Sequence, residues 1–419
     1  MFHYSNHILH AEDVAVAELA AQYGTPLYIY SASQITQNYQ KLSDALTATG
    51  LKTTMHFAVK ANYNLAVLHH LKNLGAGADV VSGGEMQRAL AAGMTADHII
   101  FSGVAKTDAE LRAALAAGIC QINLESAEEL KHLQQIAAAM NIQVDCAVRI
   151  NPDVDANTHA KINTGKSEHK FGVDIETACQ MFNTAKGSAV NLRGIATHIG
   201  SQLLDLQPFD DAFAVMASFM RELQQAGHTV DVCDIGGGIG VPYQSHEKSI
   251  DLGLFTQLLK KHFAGFGGTL ASEPGRFLVA NAGVLLTRVE FIKRTAHKTF
   301  VIVDAAMNDL MRPAMYDAYH PIDPVQQTSA ATMACDIVGG ICETSDIFAA
   351  ARQLPENLKS GDLLAIGMAG AYGSTMSNTY NARNLVAEVM VNGVHHGICR
   401  ERWDIQAQMQ LDKIPSWMK

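Results

Sequence analysis

The chain has no CxxC pair, no HExxH motif and an odd number of cysteines. Its seven thiols (Cys120, Cys146, Cys179, Cys233, Cys335, Cys342 and Cys399) are scattered. Several sit in apolar stretches where cysteine behaves as a small hydrophobe, which argues against a disulfide framework and a zinc site. The 18 histidines are dispersed as well, and no metal is expected. No apolar run reaches the roughly 18 residues needed to cross a bilayer, so no membrane partner is expected. Basic blocks are absent too: 31 Lys and Arg against 41 Asp and Glu give a net charge of −10, which disfavours nucleic acid as a partner. The opening Met1-Phe2-His3-Tyr4-Ser5-Asn6-His7 has no basic segment followed by an apolar one. No secretory signal is expected, and the expected location is cytoplasmic. There is no low-complexity linker and no short-period repeat.

What is present is ample core. With 419 residues and 48% hydrophobic content, the chain suits two domains, one of them a large barrel. A strand is expected at 25–30 and a helix from about Ser33. Strand patterns then recur at 53–59, 77–81, 98–102, 120–124, 143–150, 192–198, 230–235 and 268–272, alternating with helical ones. Thr107-x-x-Glu110 and Ser126-x-x-Glu129 have capping-box spacing, and Gly75, Gly93 and Gly118 stand where helices should end. Continuous apolar runs such as Val144–Val148 suit parallel strands buried on both faces. The expected architecture is α/β: a (β/α)8 barrel over 26–272, with a mainly β domain from 1–25 and 273–419. A doubly wound open sheet is the competing topology. In the second domain, strands are expected at 283–292, 299–304, 363–368 and 385–391, and the N-terminal strand could join them.

A barrel collects its chemistry at the carboxyl ends of its strands, and four polar motifs fall there. Lys60 follows the apolar run Met55–Val59 in His56-Phe57-Ala58-Val59-Lys60-Ala61-Asn62. At such a strand mouth, low-dielectric surroundings favour a neutral, nucleophilic amine, although most strand-end lysines are simply solvated. His198 ends the sixth strand in His198-Ile199-Gly200-Ser201-Gln202. It is either a hydrogen-bonded strand-end residue or an imidazole stacked on a flat ring. Gly236, Gly237 and Gly238, in Asp234–Gly240, would let backbone amides turn toward an anion such as a phosphate. The alternatives are a bare tight turn or a dinucleotide loop, and the spacing misses GxGxxG while Pro242 opposes an immediate helix. Ser272-Glu273-Pro274-Gly275-Arg276 ends the eighth strand, where Glu273 could hold a proton on a pyridine nitrogen or pair with Arg276. An amine nucleophile, a phosphate loop and a ring-nitrogen carboxylate together describe pyridoxal 5′-phosphate.

Three further motifs fall in the second domain. Arg312-Pro313-Ala314-Met315-Tyr316 sets a guanidinium and a phenol one helical turn apart if helical. Gly339–Asp346 carries Cys342 beside Glu343, and Ala369–Gly373 is a turn bearing Tyr372. Read singly, a surface ion pair, a buried thiol and a core tyrosine are the plainer readings.

With FAVKAN (57–62), GADVVSGGE (77–85), KFGV (170–173), HIGSQ (198–202), DIGGGIG (234–240), SEPGR (272–276), MRPAMYDAYH (311–320), CETSD (342–346) and AYG (371–373) in order, the chain resembles the diaminopimelate decarboxylases over nearly its whole length. These are fold-type III pyridoxal-phosphate enzymes with an alanine-racemase-like barrel. The resemblance implies that Lys60 carries the cofactor covalently. It implies that His198 lies against the ring and Glu273 at its nitrogen, and that Ser201, Gly236–Gly238, Gly275, Arg276 and Tyr372 complete the cofactor site. Arg276, Arg312 and Tyr316, with Tyr372, would hold the carboxylate of the substrate's far end and Glu343 its ammonium, while Cys342 delivers a proton. It further implies meso-diaminopimelate as substrate, L-lysine and carbon dioxide as products, and a homodimer with shared active sites. Gly339-Gly340 stands where family members often carry Gly-Pro, and Thr344 where they carry Ser. A decarboxylase of a related basic amino acid or of carboxynorspermidine, and a non-catalytic relative that binds the cofactor, are the alternatives.

Overall fold

The computed structural model describes residues 1–154 and 170–418. Two compact units are present, one formed by Thr36–Leu278 and the other by Met1–Ile35 with Val279–Lys419.

The first unit is a closed barrel of eight strands: Lys52–Ala58, Gly77–Val80, Ile99–Phe101, Gln121–Leu124, Val144–Arg149, Val190–Ala196, Val232–Asp234 and Thr269–Ser272. Each pairs in parallel with its sequence neighbours, and Thr269–Ser272 closes the ring by pairing with Lys52–Met55. This is the expected (β/α)8 arrangement, not the open sheet. The strands are short and buried on both faces, so every residue of Gly77–Val80 and Gln121–Leu124 is buried.

Helix ends follow the side chains. Thr107 and Glu110 form a reciprocal capping box on helix Asp108–Ala117, which ends at left-handed Gly118. The Ser126-x-x-Glu129 spacing gives only half of one. Ser126 accepts from the Glu129 amide, but the Glu129 carboxylate bonds the Glu125 amide and Lys106 Nζ, both at 2.7 Å. The Lys106 side chain is only 1% exposed, and a buried ammonium draws the carboxylate away from the cap. Phe209 and Phe213, on helix Gln207–Gln225, meet Phe255 and Phe263 of helix Leu252–Phe263, with centroids 5.4–5.9 Å apart.

The second unit is mainly β. Its large sheet runs Ile347–Pro355, Thr332–Val338, Thr299–Val303, Gly283–Arg294, Leu27–Ser31, Ala387–Asn392, His395–Arg400, with Leu363–Ile366 also on Gly283–Arg294. A small antiparallel sheet holds Phe2–Ser5, Ile8–Ala11 and Val14–Ala15. Leu27–Ser31, the strand that the sequence also allowed to join the β domain, is fully buried inside the second unit's sheet. Both faces of that strand are apolar, so it belongs wherever a sheet can cover both. The boundary between the compact units falls within helix Ala32–Thr47, and the barrel unit runs to Leu278.

Candidate active site

Asn62 and Asn64 shape the turn that follows the first barrel strand. The Asn62 carboxamide accepts from the Asn64 amide at 3.1 Å, and Asn64 caps helix Leu65–Leu74 through the Ala66 amide. Lys60 therefore stands in a single 3-10 turn, Val59–Ala61, just past the strand end at Ala58. Its side chain is 35% exposed, and its ammonium lies 3.7 Å from the buried Asp79 carboxylate.

The glycines after the seventh strand are fixed by close backbone approach. Gly236 and Gly238 adopt φ of 68° and 97°. A Cβ on Gly236 would lie 2.2 Å from the Thr197 carbonyl, and one on Gly237 2.1 Å from the Glu273 carbonyl. These contacts pull the loop against both neighbouring strand ends. The Gly237 amide donates to His198 Nδ1 at 3.2 Å, and the Glu273 amide donates to the Gly236 carbonyl at 2.7 Å. An Nδ1 that accepts is unprotonated. Burial, with the charges of Lys60 and Arg149, also holds His198 well below the usual imidazole range, so its ring is neutral.

Three buried carboxylates gather here: Asp79, Asp234 and Glu273. Asn123 Nδ2 donates to Ser102 Oγ (3.1 Å), Asp234 Oδ2 (3.3 Å) and Glu273 Oε1 (3.5 Å), tying Asp234 to Glu273. Burial raises all three, Asp234 to about 6 and Glu273 well above the carboxylate range because Asp234 and Asp79 repel its charge. Three such groups facing one lysine amount to a surplus of potential negative charge, which a protonated pyridine nitrogen would offset. The donor set thus fits pyridoxal phosphate.

Arg276 does not form the ion pair with Glu273 that the sequence allowed as its plainer reading. Its Nη1 donates to Tyr243 Oη at 2.7 Å and its Nη2 to Ser201 Oγ at 2.9 Å. Gly275 packs on Ala58 and Ala61, where a Cβ would meet theirs at 3.1 and 3.0 Å. Lys60, His198, Ser201, Gly236–Gly238, Glu273, Gly275 and Arg276 are thus linked in one cluster of the barrel unit. Sequence reasoning assigned no role to Asp79, Asn123 or Tyr243. Only Asp79 had a signal, its place in GADVVSGGE at a strand end.

The second unit holds the remaining candidates. Arg312–Tyr316 is a short helix ended by left-handed Asp317, so the guanidinium and the phenol stand one helical turn apart in sequence. Arg312 is buried and Tyr316 half-buried. Asp346 accepts from the Ile341 and Met307 amides, both at 2.7 Å, pinning the loop that presents Cys342 and Glu343 as exposed side chains. The Cys342 amide bonds Asn381 Oδ1 at 3.2 Å, and Tyr380 Oη donates to Glu343 Oε1 at 2.6 Å. Tyr372 sits in a tight turn at φ 55°. Among the described residues, no cluster of His, Cys, Asp and Glu is arranged to hold a metal ion, and no helix is long and apolar enough to cross a membrane.

A family model described as pyridoxal-dependent decarboxylase, pyridoxal binding domain, matches residues 32–280. The chain is 45% identical over 420 residues to the diaminopimelate decarboxylase of Zymomonas mobilis, covering 100% of this chain and 99% of the relative. The solved diaminopimelate decarboxylase of Helicobacter pylori in complex with L-lysine superposes with TM-score 0.91 at 40% identity, over 94% of this chain and 98% of that one. Its M. jannaschii counterpart, also with L-lysine, gives 0.94 at 36% identity over 100% and 99%.

A parallel barrel carrying a lysine and buried carboxylates at its strand ends, with this family match, defines a pyridoxal-dependent decarboxylase. Within that class, the chain belongs to the diaminopimelate decarboxylase family.

Proposed function

We propose that the protein decarboxylates meso-2,6-diaminopimelate at its D-configured centre, giving L-lysine and carbon dioxide, the last step of lysine biosynthesis. The observation that carries this reading is the full-length identity to a diaminopimelate decarboxylase, 45% with no large unmatched segment. The same reading places the enzyme in the cytoplasm.

Pyridoxal 5′-phosphate, when bound, supplies an electron sink for the bonding pair left behind by carbon dioxide. Lys60 would hold its aldehyde, Glu273 its ring nitrogen and His198 its ring face. Ser201, Gly236, Gly237, Gly238, Gly275, Arg276 and Tyr372 would hold its phosphate end. Glu273 keeps a proton at that nitrogen because burial makes an uncompensated carboxylate costly there. His198, neutral at its accepting Nδ1, adds no charge beside Lys60. Arg276, Arg312, Tyr316 and Tyr372 grip the carboxylate of the L-configured far end, and Glu343 takes its ammonium. Cys342 Sγ gives a proton to the substrate carbon. Cys342 and Glu343 come from the second subunit of a homodimer, which makes each site shared.

Ornithine and arginine lack a far-end carboxylate, and would leave the arginines of the site without their anion. Such a mismatch costs several kcal/mol, about 10²-fold or more in discrimination. A product assay with meso-diaminopimelate beside ornithine, arginine and carboxynorspermidine tests this. L-Lysine from the first, at a kcat/KM about 10²-fold above the others, is expected. Comparable turnover of ornithine would overturn the substrate assignment, and no turnover of any of them would favour a non-catalytic relative.

A further inference from the structure

The second unit contains an imidazole whose two nitrogens both have an identified partner. His320 is completely buried. Its Nδ1 lies 2.8 Å from the Gly367 carbonyl, and its Nε2 lies 2.9 Å from Arg312 Nη1. A carbonyl only accepts, so Nδ1 carries the proton. A guanidinium only donates, so Nε2 accepts. The tautomer is therefore fixed by both neighbours, and the ring in contact with Arg312 is neutral. Arg352 Nη2 also donates to the His320 carbonyl at 3.0 Å and its guanidinium stacks 4.1 Å above the Tyr319 ring, which steadies the backbone that carries the imidazole.

The chemistry of this contact differs from that of Arg149, one of the buried arginines of the barrel unit. Arg149 meets the Glu125 carboxylate at 2.8 Å, which cancels much of its charge. An uncharged acceptor orients a guanidinium without cancelling it. Arg312 itself lies on a helix of only five residues, Arg312–Tyr316, which gives a long side chain little support of its own. His320 is anchored instead to Gly367, just after strand Leu363–Ile366, and passes the rigidity of that sheet to the guanidinium.

We propose that His320 is a positioning residue for substrate specificity, aiming Arg312 at the far-end carboxylate. This rests on the reading of Arg312 given above. It is separable from that reading by replacing each partner. His320→Asn keeps a donor near the Nδ1 position for Gly367 but removes the acceptor facing Arg312. His320→Gln carries an amide oxygen near the Nε2 position and keeps that acceptor.

The holoenzyme is assayed for kcat and KM with meso-diaminopimelate, for inhibition by L-lysine, which retains the far-end carboxylate, and for thermal stability. His320→Asn is expected to raise KM and weaken L-lysine inhibition by about tenfold with kcat held within about twofold, as loss of one charge-assisted contact implies. His320→Gln recovers most of that loss. If Arg312→Ala raises KM while His320→Asn matches the wild type, the positioning role is overturned and the reading of Arg312 survives. If Arg312→Ala leaves KM unchanged, the reading of Arg312 fails and takes the positioning role with it. Equal KM losses in both His320 variants, together with lowered melting temperatures, would mark the residue as structural only and overturn the proposal.

Discussion

The two units handle their reactive groups in opposite ways. In the barrel, Asp79, Asp234, Glu273, Asn123 and Arg276 are buried; Asn123 bonds Asp234 and Glu273, and Arg276 bonds Tyr243 and Ser201. In the β unit, Cys342 and Glu343 project from an exposed loop, with Asn381 and Tyr380 as neighbours. A buried polar cluster is preorganised by its own chain and can hold a cofactor in fixed geometry. An exposed thiol and carboxylate acquire low-dielectric surroundings only when another surface covers them. The proposed division, with cofactor chemistry in the barrel unit and the exposed loop serving a neighbouring subunit, is a reading of this contrast that mixed-subunit experiments test.

Replacing Lys60 should produce the largest effect. Lys60→Ala is expected to lose at least about 10³-fold in kcat, measured by release of carbon dioxide. Cys342→Ala should lose about 10²–10³-fold in kcat, the range for removing a proton donor, with absorbance of the bound cofactor unchanged. Mixing these two inactive proteins sharpens the comparison further. If the loop serves a partner, mixed dimers regain one intact site and activity rises to roughly a quarter of the wild type. No recovery after subunit exchange would place loop and barrel groups of one chain in the same site.

Arg312→Ala is expected to lower kcat/KM for meso-diaminopimelate by about 2–4 kcal/mol while cofactor binding persists. An unchanged kcat/KM would remove the basis for the substrate assignment.

The smallest effect concerns pH, and it has opposite signs for a buried carboxyl of the β unit and a buried imidazole of the barrel. Burial raises the Asp309 carboxyl of the β unit to about 7 from an ordinary 3.8. The folded state then holds the proton more tightly, so this group's contribution is fully present below about pH 4 and is lost as pH rises through about 7. Burial lowers His56 of the barrel to about 4 from 6.5, so its contribution is present above 6.5 and lost as pH falls through about 4. In unfolding titrations, Asp309→Asn should flatten the loss between pH 4 and 7, and His56→Gln the loss between 6.5 and 4, each by on the order of 1–2 kcal/mol. Slopes identical to the wild type in both variants would contradict these assignments.

The barrel was legible because its signals are local. Several strands are short apolar runs, most barrel helices have a side-chain cap, and the polar motifs of the site follow strands. The β unit was less legible where pairing overrides propensity. Ile347–Pro355 reads Ile-Phe-Ala-Ala-Ala-Arg-Gln-Leu-Pro, a helix-like composition, yet it is an edge strand with register shifts and Ala351 at φ 50°. Leu27–Ser31 was recognised as a strand, but only its partners across more than 250 residues reveal its sheet.

The site shows the same divide. Lys60, His198, Glu273 and the glycines announce themselves by motif. Asn123 lies in the four-residue strand Gln121–Leu124, and only barrel closure brings it to Asp234 and Glu273. Tyr243 follows a glycine loop and a proline, and its bond to Arg276 spans 33 positions. His320 closes the motif that begins at Met311, but its link to Gly367 depends on the fold of the second unit. Contacts of this kind are set by register and closure, which no spacing rule encodes.

The central claim is that the amine of residue 60 is the group that carries the cofactor. Hydride reduction of the loaded protein followed by peptide mass spectrometry tests it most directly. A pyridoxyl adduct on Lys60, absent in Lys60→Ala, is the predicted result. An adduct on a different lysine of the wild-type protein, or none in protein shown to be fully loaded, would contradict the account.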